Sequence, residues 1–369
     1  YKPATMMDNP FTFAGGSGTY EDPYLIETAQ QLNAVRKGLD QHYRLAADID
    51  LSTWGNWIPI GSNEAYGGTR SGGANQAFQN TDTFTGSLDG NGHVISGMTI
   101  KIDAGEVYMA ERLNVRYYGL FMNLDAGKGP IIVHEKGKGD RNNSPYTSEV
   151  HAGVRNLGII NFNIDIHHSV IKNDYEIYAG AISGSCHGVG IYNCYSSGGT
   201  IRIDLRDAGA VGLKVRVGGL VGDSSWTDFR SSYNASDITV LAKSETGRSN
   251  ELEGAGISGT SIASWYMSCF NKGNITMPQY LDPVKAGTQI FAGAACGITT
   301  VAWAPEFPVL YHTGEAKNNY IWNCYNAGTL TGEFVGGIML YGNSDYYVDN
   351  CYNIGTLNGS KSTNRSEER

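Results

Sequence analysis

Charge is scarce in this chain. Asp, Glu, Lys and Arg make up 17% of its 369 residues, and the formal net charge is −9, which argues against a nucleic-acid partner. No run approaches the ~18 apolar residues that a membrane-spanning helix needs, so no membrane insertion is expected. Phosphate-binding glycine loops between a strand and a helix are missing, and so is a Gly-x-Ser-x-Gly elbow with triad partners, which sets aside nucleotide and acyl-transfer chemistry. The eight His show no ligand spacing, and His167-His168 would point to opposite faces of a strand. No metal and no cofactor are expected. Six Cys do not by themselves prove an oxidising compartment.

What the chain has in abundance is glycine, 49 residues against 10 Pro, and much of it sits in a recurring phrase. A pair of small residues is followed about a dozen positions later by a Cys-Tyr-Asn step and then Gly. Taking Ala181, Gly219, Gly256, Ala294 and Gly337 as the second small residue, successive copies are 38, 37, 38 and 43 residues apart. The Cys position follows as Cys194, Ser232, Cys269, Cys324 and Cys351, at distances of 13, 13, 13, 30 and 14 residues. Only the fourth copy carries an insertion, within residues 299–320, where Pro305, Pro308 and Gly314 mark a loop.

Each copy holds short alternating runs rich in Val, Ile, Tyr and Thr, bounded by Gly, Asn, Ser or Asp. Such runs read as strands. Three per copy predict one rung of a right-handed parallel β-helix, an all-β solenoid. A single rung cannot bury its apolar face, so rungs must stack and share a core. Equivalent residues then form columns spaced by ~4.8 Å. Cysteines in a column are too far apart at Cβ for a disulfide ladder and do not enclose a metal, so they read as buried free thiols. Cys186 and Cys296 lie off that column, and a bond between them stays open. Asn193, Asn323 and Asn350, and the turn residues Asn234, Asn271, Asn326 and Asn353, read as structural, because Asn tolerates left-handed backbone and bonds to neighbouring backbone. Small residues at the paired step suit either a crowded corner or positive φ.

Residues 1–100 differ and are expected to form an N-terminal cap with the first rungs. Residues 28–39 give the one predicted helix, a short capping helix with Leu32, Val35 and Leu39 on one stripe. Strand candidates follow at residues 43–49, 57–60, 84–88 and 93–100, interrupted by a Gly-rich insertion at 62–80. Residues 101–359 form the repeat-containing helix, with a second polar excursion at 125–149. Residues 360–369 are polar and read as a frayed tail or linker to further domains of the same polypeptide. A first residue Tyr1, without Met or signal sequence, suggests an excised mature segment.

The phrases Gly219-Leu220-Val221-Gly222, Ser231-Ser232-Tyr233-Asn234 and Asn156-Leu157-Gly158 resemble the GLUG repeats of bacterial surface proteins, which also occur in some immunoglobulin A peptidases. The segments from Gly16 to Ile26 and from Phe84 to Ile95 are similar to those that usually precede such repeats. The resemblance spans most of residues 14–359. It implies a secreted or cell-surface-anchored bacterial protein, extracellular in either case, built on a right-handed β-helix; it does not imply a reaction, since such repeats are mostly passive modules of larger proteins. The zinc motif of the peptidases is missing: His134-Glu135 is followed by Lys136 and Gly137 with no second His, which removes metallopeptidase chemistry.

Two candidate sites remain. Trp226, Trp265, Trp303 and Tyr346 fall at similar offsets after the paired small residues. Stacking would bring them to one edge, where rings either cover a corner or contact a glycan or a host or cell-surface protein. Asp223 and Asp228 flank Trp226 and form the alternative, the carboxylate pair of a glycan-cleaving glycoside hydrolase, against the plain reading of Asp as turn chemistry. Asp204 with Asp207, and Asp345 with Asp349, make similar pairs. A lyase would want a carboxylate-bound calcium beside a basic residue, and no such cluster is visible. The leading expectation is a non-catalytic module for adhesion or glycan binding; a passive spacer is the third reading.

Overall fold

The computed structural model describes residues 12–61, 83–104, 115–126, 151–168, 175–207, 213–242, 251–279, 292–303, 319–342 and 346–360. The insertions expected at 62–80, 125–149 and 299–320, His134, Asp345 and the tail beyond residue 360 lie largely or wholly outside them. The chain is a parallel β-helix. Among the described residues every strand ladder is parallel, and strands roughly one repeat apart in sequence are hydrogen-bonded neighbours.

Two sheets run the length of the stack, one of nine strands from Tyr24–Ile26 to Tyr346–Asp349 and one of thirteen. Two six-stranded sheets join them, beginning at Val115–Tyr118 and at Phe121–Asp125. Each later rung therefore contributes to four sheets, not three. The extra division falls at the paired small residues, where the chain folds back so tightly that two sheets touch through glycine. A Cβ at Gly219 would lie 2.3 Å from both Asn234 Cγ and Gly256 O. Crowding, and not positive φ, is the reason for glycine there.

Register is set by aliphatic columns in the core. Ile100, Ile164, Ile201, Ile238, Ile275, Leu330 and Leu357 succeed one another in one ladder, and all but Leu357 are buried. Each such side chain contributes about 1.5–3 kcal/mol on burial, and a slip by one residue would turn every one outward. One core cluster extends from Ile26 to Leu330, crossing residue 100 without a break.

The polar columns run inside the same stack. Asn234 donates from Nδ2 to Asn271 Oδ1 at 2.8 Å, Asn271 to Asn326 at 2.7 Å and Asn326 to Asn353 at 2.6 Å. Each of these asparagines also donates to a backbone carbonyl two residues on. Asn193, Asn323 and Asn350, by contrast, hold left-handed backbone, as do Ser231 and Ser268 in the same place. The six cysteines are free. Cys324 N–H donates to Cys351 Sγ at 3.4 Å, and Cys186 sits beside Thr227.

The first rung is covered. Thr28 Oγ1 accepts from Gln31 N–H while Gln31 Oε1 accepts from Thr28 N–H, a reciprocal cap that starts the helix Ala29–Ala34. A 3-10 turn, Val35–Lys37, follows, and Leu32 and Val35 are fully buried against the stack. Of the strand candidates, residues 57–60 form no strand; isolated bridges stand at Asn56, just before them, and at Ile60.

Hydrogen bonding corrects the alignment of the fourth copy. Gly256 N–H donates to Cys296 O and Gly297 N–H to Gly336 O, and Ala255, Cys296 and Gly336 are paired in register. The second small residue of that copy is Gly297, three positions after Ala294, and Cys296 takes the place of the first. Like Gly, Ala and Ser, a thiol is small enough for that crowded turn.

Candidate functional site

The aromatic residues expected on one edge occupy separate columns. Trp265 is paired in register with Asp228 and with Tyr320, and is buried at 5% exposure. Trp226 lies two positions earlier, at the corner that Ala263 fills one rung on, with its N–H donating to Ile262 O. Trp303 pairs with Ile262, one position before that corner, and Tyr346 pairs with Asn319; the side chains of Trp303 and Tyr346 lie outside the described part. The four therefore do not stack in one column, and Trp265 is a core residue. Trp226 stands seven residues after Gly219 and Trp265 nine after Gly256, and two residues along a rung are two columns.

Trp226 itself is half-buried and holds φ +47°, a region that bulky side chains rarely adopt and that costs of order 1–3 kcal/mol. Gly188 and Ala263 take the equivalent corner in the flanking rungs with φ of 66° and 48°. The indole packs edge-on against His187 with ring centres 4.9 Å apart at 70°. His187 is in register with Asp125 on one side and Ser225 on the other.

Asp223 and Ser225 alternate along the strand Val221–Ser225, so they project to the same side as this corner. There Asp223 accepts from Arg216 Nη1 at 2.8 Å and from Thr260 Oγ1. The Arg216 guanidinium also lies 3.5 Å from Glu253 and 5.3 Å above the Tyr178 ring. Burial, countered in part by Arg216, pushes the Glu253 carboxyl from 4.5 up to about 7. Lys214 lies 3.4 Å from Glu176 and 3.6 Å from Glu251, two residues further out on the same strands. A band of charge therefore joins the two six-stranded sheets next to Trp226.

Asp228 is elsewhere. It belongs to the nine-stranded sheet, is fully buried, accepts from Tyr192 Oη at 3.1 Å and lies 2.5 Å from Arg230 Nη2. Burial raises its carboxyl above the usual range. The proposed acid pair of Asp223 and Asp228 is accordingly overturned: each carboxylate has its own arginine, and Asp228 meets no solvent. Asp204 is held down to about 2, chiefly by hydrogen bonding to Arg206, and Asp207 lies 3.5 Å from His167. Among the described residues no group of His, Cys, Asp and Glu converges as a metal site.

His187, Arg216, Tyr178 and Glu253 were not singled out from sequence. A signal existed: Tyr178, Arg216 and Glu253 stand one repeat apart, as do Glu176, Lys214 and Glu251, so opposite charges alternate down one column and meet once in the other.

A row of rings marks the thirteen-stranded sheet. Tyr195, Tyr233, Phe270, Tyr325 and Tyr352 stack with centres 4.9, 4.6, 4.8 and 5.3 Å apart and planes within 7°. Their faces are occupied by one another, so only edges reach solvent and a sugar face cannot lie on the inner rings.

No protein-family model matches the chain. Over 116 residues, 30% of its length, it is 36% identical to a protein of Evansella cellulosilytica described as a Gly-rich membrane protein, of which it covers 10%. Over 115 residues it is 35% identical to halomucin of Haloquadratum walsbyi, covering 1% of that protein. The chain thus spans a small fraction of the curated relatives it matches. A solved Bacteroides ovatus structure described as an immunoglobulin A1 protease aligns over 94% of this chain and 87% of that one, at 16% identity and a TM-score of 0.42.

Proposed function

We propose that this chain is a non-catalytic, extracellular β-helix module of a surface protein, of the type built from GLUG-like repeats, and that it contacts a glycan or a cell-surface protein at the Trp226 corner. The observation that carries this reading is Trp226 itself. A bulky aromatic is kept half-exposed at left-handed φ where neighbouring rungs use Gly and Ala, and strain of that kind points to a residue retained for contact. Beside it, His187 supplies a polar ring and the Arg216, Asp223 and Glu253 band fixes the strands beneath. An indole face with flanking hydrogen-bonding groups suits a sugar ring or a polar peptide. The descriptions of the two relatives, a membrane protein and a mucin-like name, agree with a surface setting.

The test is a glycan array and a cell-binding assay with the intact chain and with Trp226→Ala. Binding by the intact chain that weakens ~10-fold or more in the variant, with unchanged circular dichroism, is the expected result. Absence of binding in both assays, or equal binding by the variant, removes the reading.

A further inference from the structure

The two ends of the stack are not alike. At the first rung the helix Ala29–Ala34 lays Leu32 and Val35 over the core. At the last rung, all the exposed large hydrophobic residues found among the described residues gather together: Tyr347 at 51%, Tyr352 at 49%, Ile354 at 72% and Leu357 at 44%. Val335, Ile338, Met339, Val348 and Cys351, which continue core columns, are only partly buried there. Leu357 is the seventh member of the aliphatic ladder whose six others are buried.

All four sheets also end at this rung. The terminal strands present an open edge of backbone donors and acceptors with apolar side chains beside it, a template for pairing. The polar columns give that edge a direction. Each carboxamide from Asn234 to Asn326 donates toward the C-terminal neighbour, and Asn353 repeats the local half of the pattern by donating to Gly355 O at 3.0 Å. Its amide stands where Asn326 stands one rung earlier, facing outward with a donor. Likewise, Cys269 N–H donates to Cys324 Sγ and Cys324 N–H to Cys351 Sγ, so the series closes on an N–H at Cys351.

We propose that this end is a docking surface for a further parallel rung of the same repeat, one that follows in the same polypeptide and sets an asparagine carboxamide oxygen over Asn353 and a small acceptor side chain over Cys351. The surface continues a rung-to-rung interface whose asparagine contact is already made three times along the chain. A second copy of this chain fits it poorly. Its own first rung is covered by the cap helix, and a two-fold pairing of C-terminal ends would set amide donors against amide donors. The inference is independent of the Trp226 contact, which lies several rungs away.

The experiment appends a second copy of residues 333–359 after Gly359. Alkylation of Cys351 and amide exchange of the strand Tyr352–Asn353 are then compared in the native and extended chains. The expected result is that both slow by ~10-fold or more in the extended chain, that the added cysteine becomes the reactive one, and that Asn353→Leu in the extended chain abolishes most of the gain. Unchanged alkylation and exchange overturn the proposal. So does concentration-dependent self-association of the native chain that by itself protects Cys351, which would assign the face to a second copy. Protection already present in the native chain and lost when residues 304–318 are shortened would assign it to that insertion and equally overturn the proposal.

Discussion

Asn271 Nδ2–H donates to Asn326 Oδ1 at 2.7 Å across 55 residues of sequence. In the preceding pair, Asn234 to Asn271, the separation is 37 residues at 2.8 Å. The geometry of the rung is thus indifferent to how much chain is spliced into a corner. Both carboxamides are buried, and each answers a backbone carbonyl as well as its neighbour.

Removing one member should therefore be costly. Asn271→Ala leaves Asn234 with an unused donor and Gly273 O without its donor, while Asn326 Oδ1 keeps only the Gly328 N–H. Buried groups stranded in this way cost about 1–3 kcal/mol each, so a loss of about 3 kcal/mol is expected in urea denaturation. Asn353→Ala at the open end strands one donor of Asn326 and should cost less, about 1 kcal/mol, on the same argument. Equal losses at both positions would show that the ladder does not act as a chain.

The left-handed column offers the opposite change. Asn193 on one side and Asn323 and Asn350 on the other flank Ser231 and Ser268 there, all at φ near 50°, and both serines are exposed. Asn193 donates to Asn156 Oδ1 at 3.1 Å, and Asn350 donates to Asn323. Ser231→Asn with Ser268→Asn should complete the row and relieve backbone cost, raising stability by about 0.5–1 kcal/mol in all. A lowered melting temperature for the double variant would refute this.

Glu253 makes stability depend on pH. Its carboxyl is raised from 4.5 to about 7 in the folded chain, so between those values the folded state holds a proton that the unfolded state has released. Stability should fall as pH rises through that window, by up to about 3 kcal/mol. In Glu253→Gln this part of the slope should vanish. Arg216→Met should be destabilising at neutral pH by about 3–5 kcal/mol, because Asp223 and Glu253 lose their shared cation. Denaturation curves from pH 4 to 8 for the three chains decide it.

Thiol labelling should single out one cysteine of six. Cys351 is half-buried, and hydrogen bonding with Cys324 draws its thiol below the usual value. Cys186, Cys194, Cys296 and Cys324 are buried, which pushes each of them up; Cys269 is equally buried. Native protein should take up one equivalent of a maleimide, at Cys351, and six only after denaturation. Fast labelling at any buried position would contradict the packing described here.

The Cys-Tyr-Asn column was legible because the turn that carries it has the same length in every rung, so Cys194, Ser232, Cys269, Cys324 and Cys351 could be placed by counting. The cap helix was legible too, since Thr28, Gln31, Leu32 and Val35 signal it locally. Trp265 and Trp303 were misplaced for other reasons. Trp265 stands nine residues after Gly256, as Asp228 does after Gly219, whereas Trp226 stands seven after Gly219, so the two rings belong to different columns; Trp303 was counted from Ala294 instead of Gly297.

From sequence alone came the repeat, the parallel stack it demands, and the stacking of cysteine and asparagine in columns, because a recurrence every 37 to 43 residues with short strands requires rungs to share a core. Tertiary structure alone decided which side chains meet. Asp223 and Asp228 are five positions apart yet lie in different sheets, while Arg216 and Glu253, a full repeat apart, are neighbours. Proximity along the chain is a poor guide in a solenoid, where the nearest neighbours of a side chain belong to the rungs above and below it.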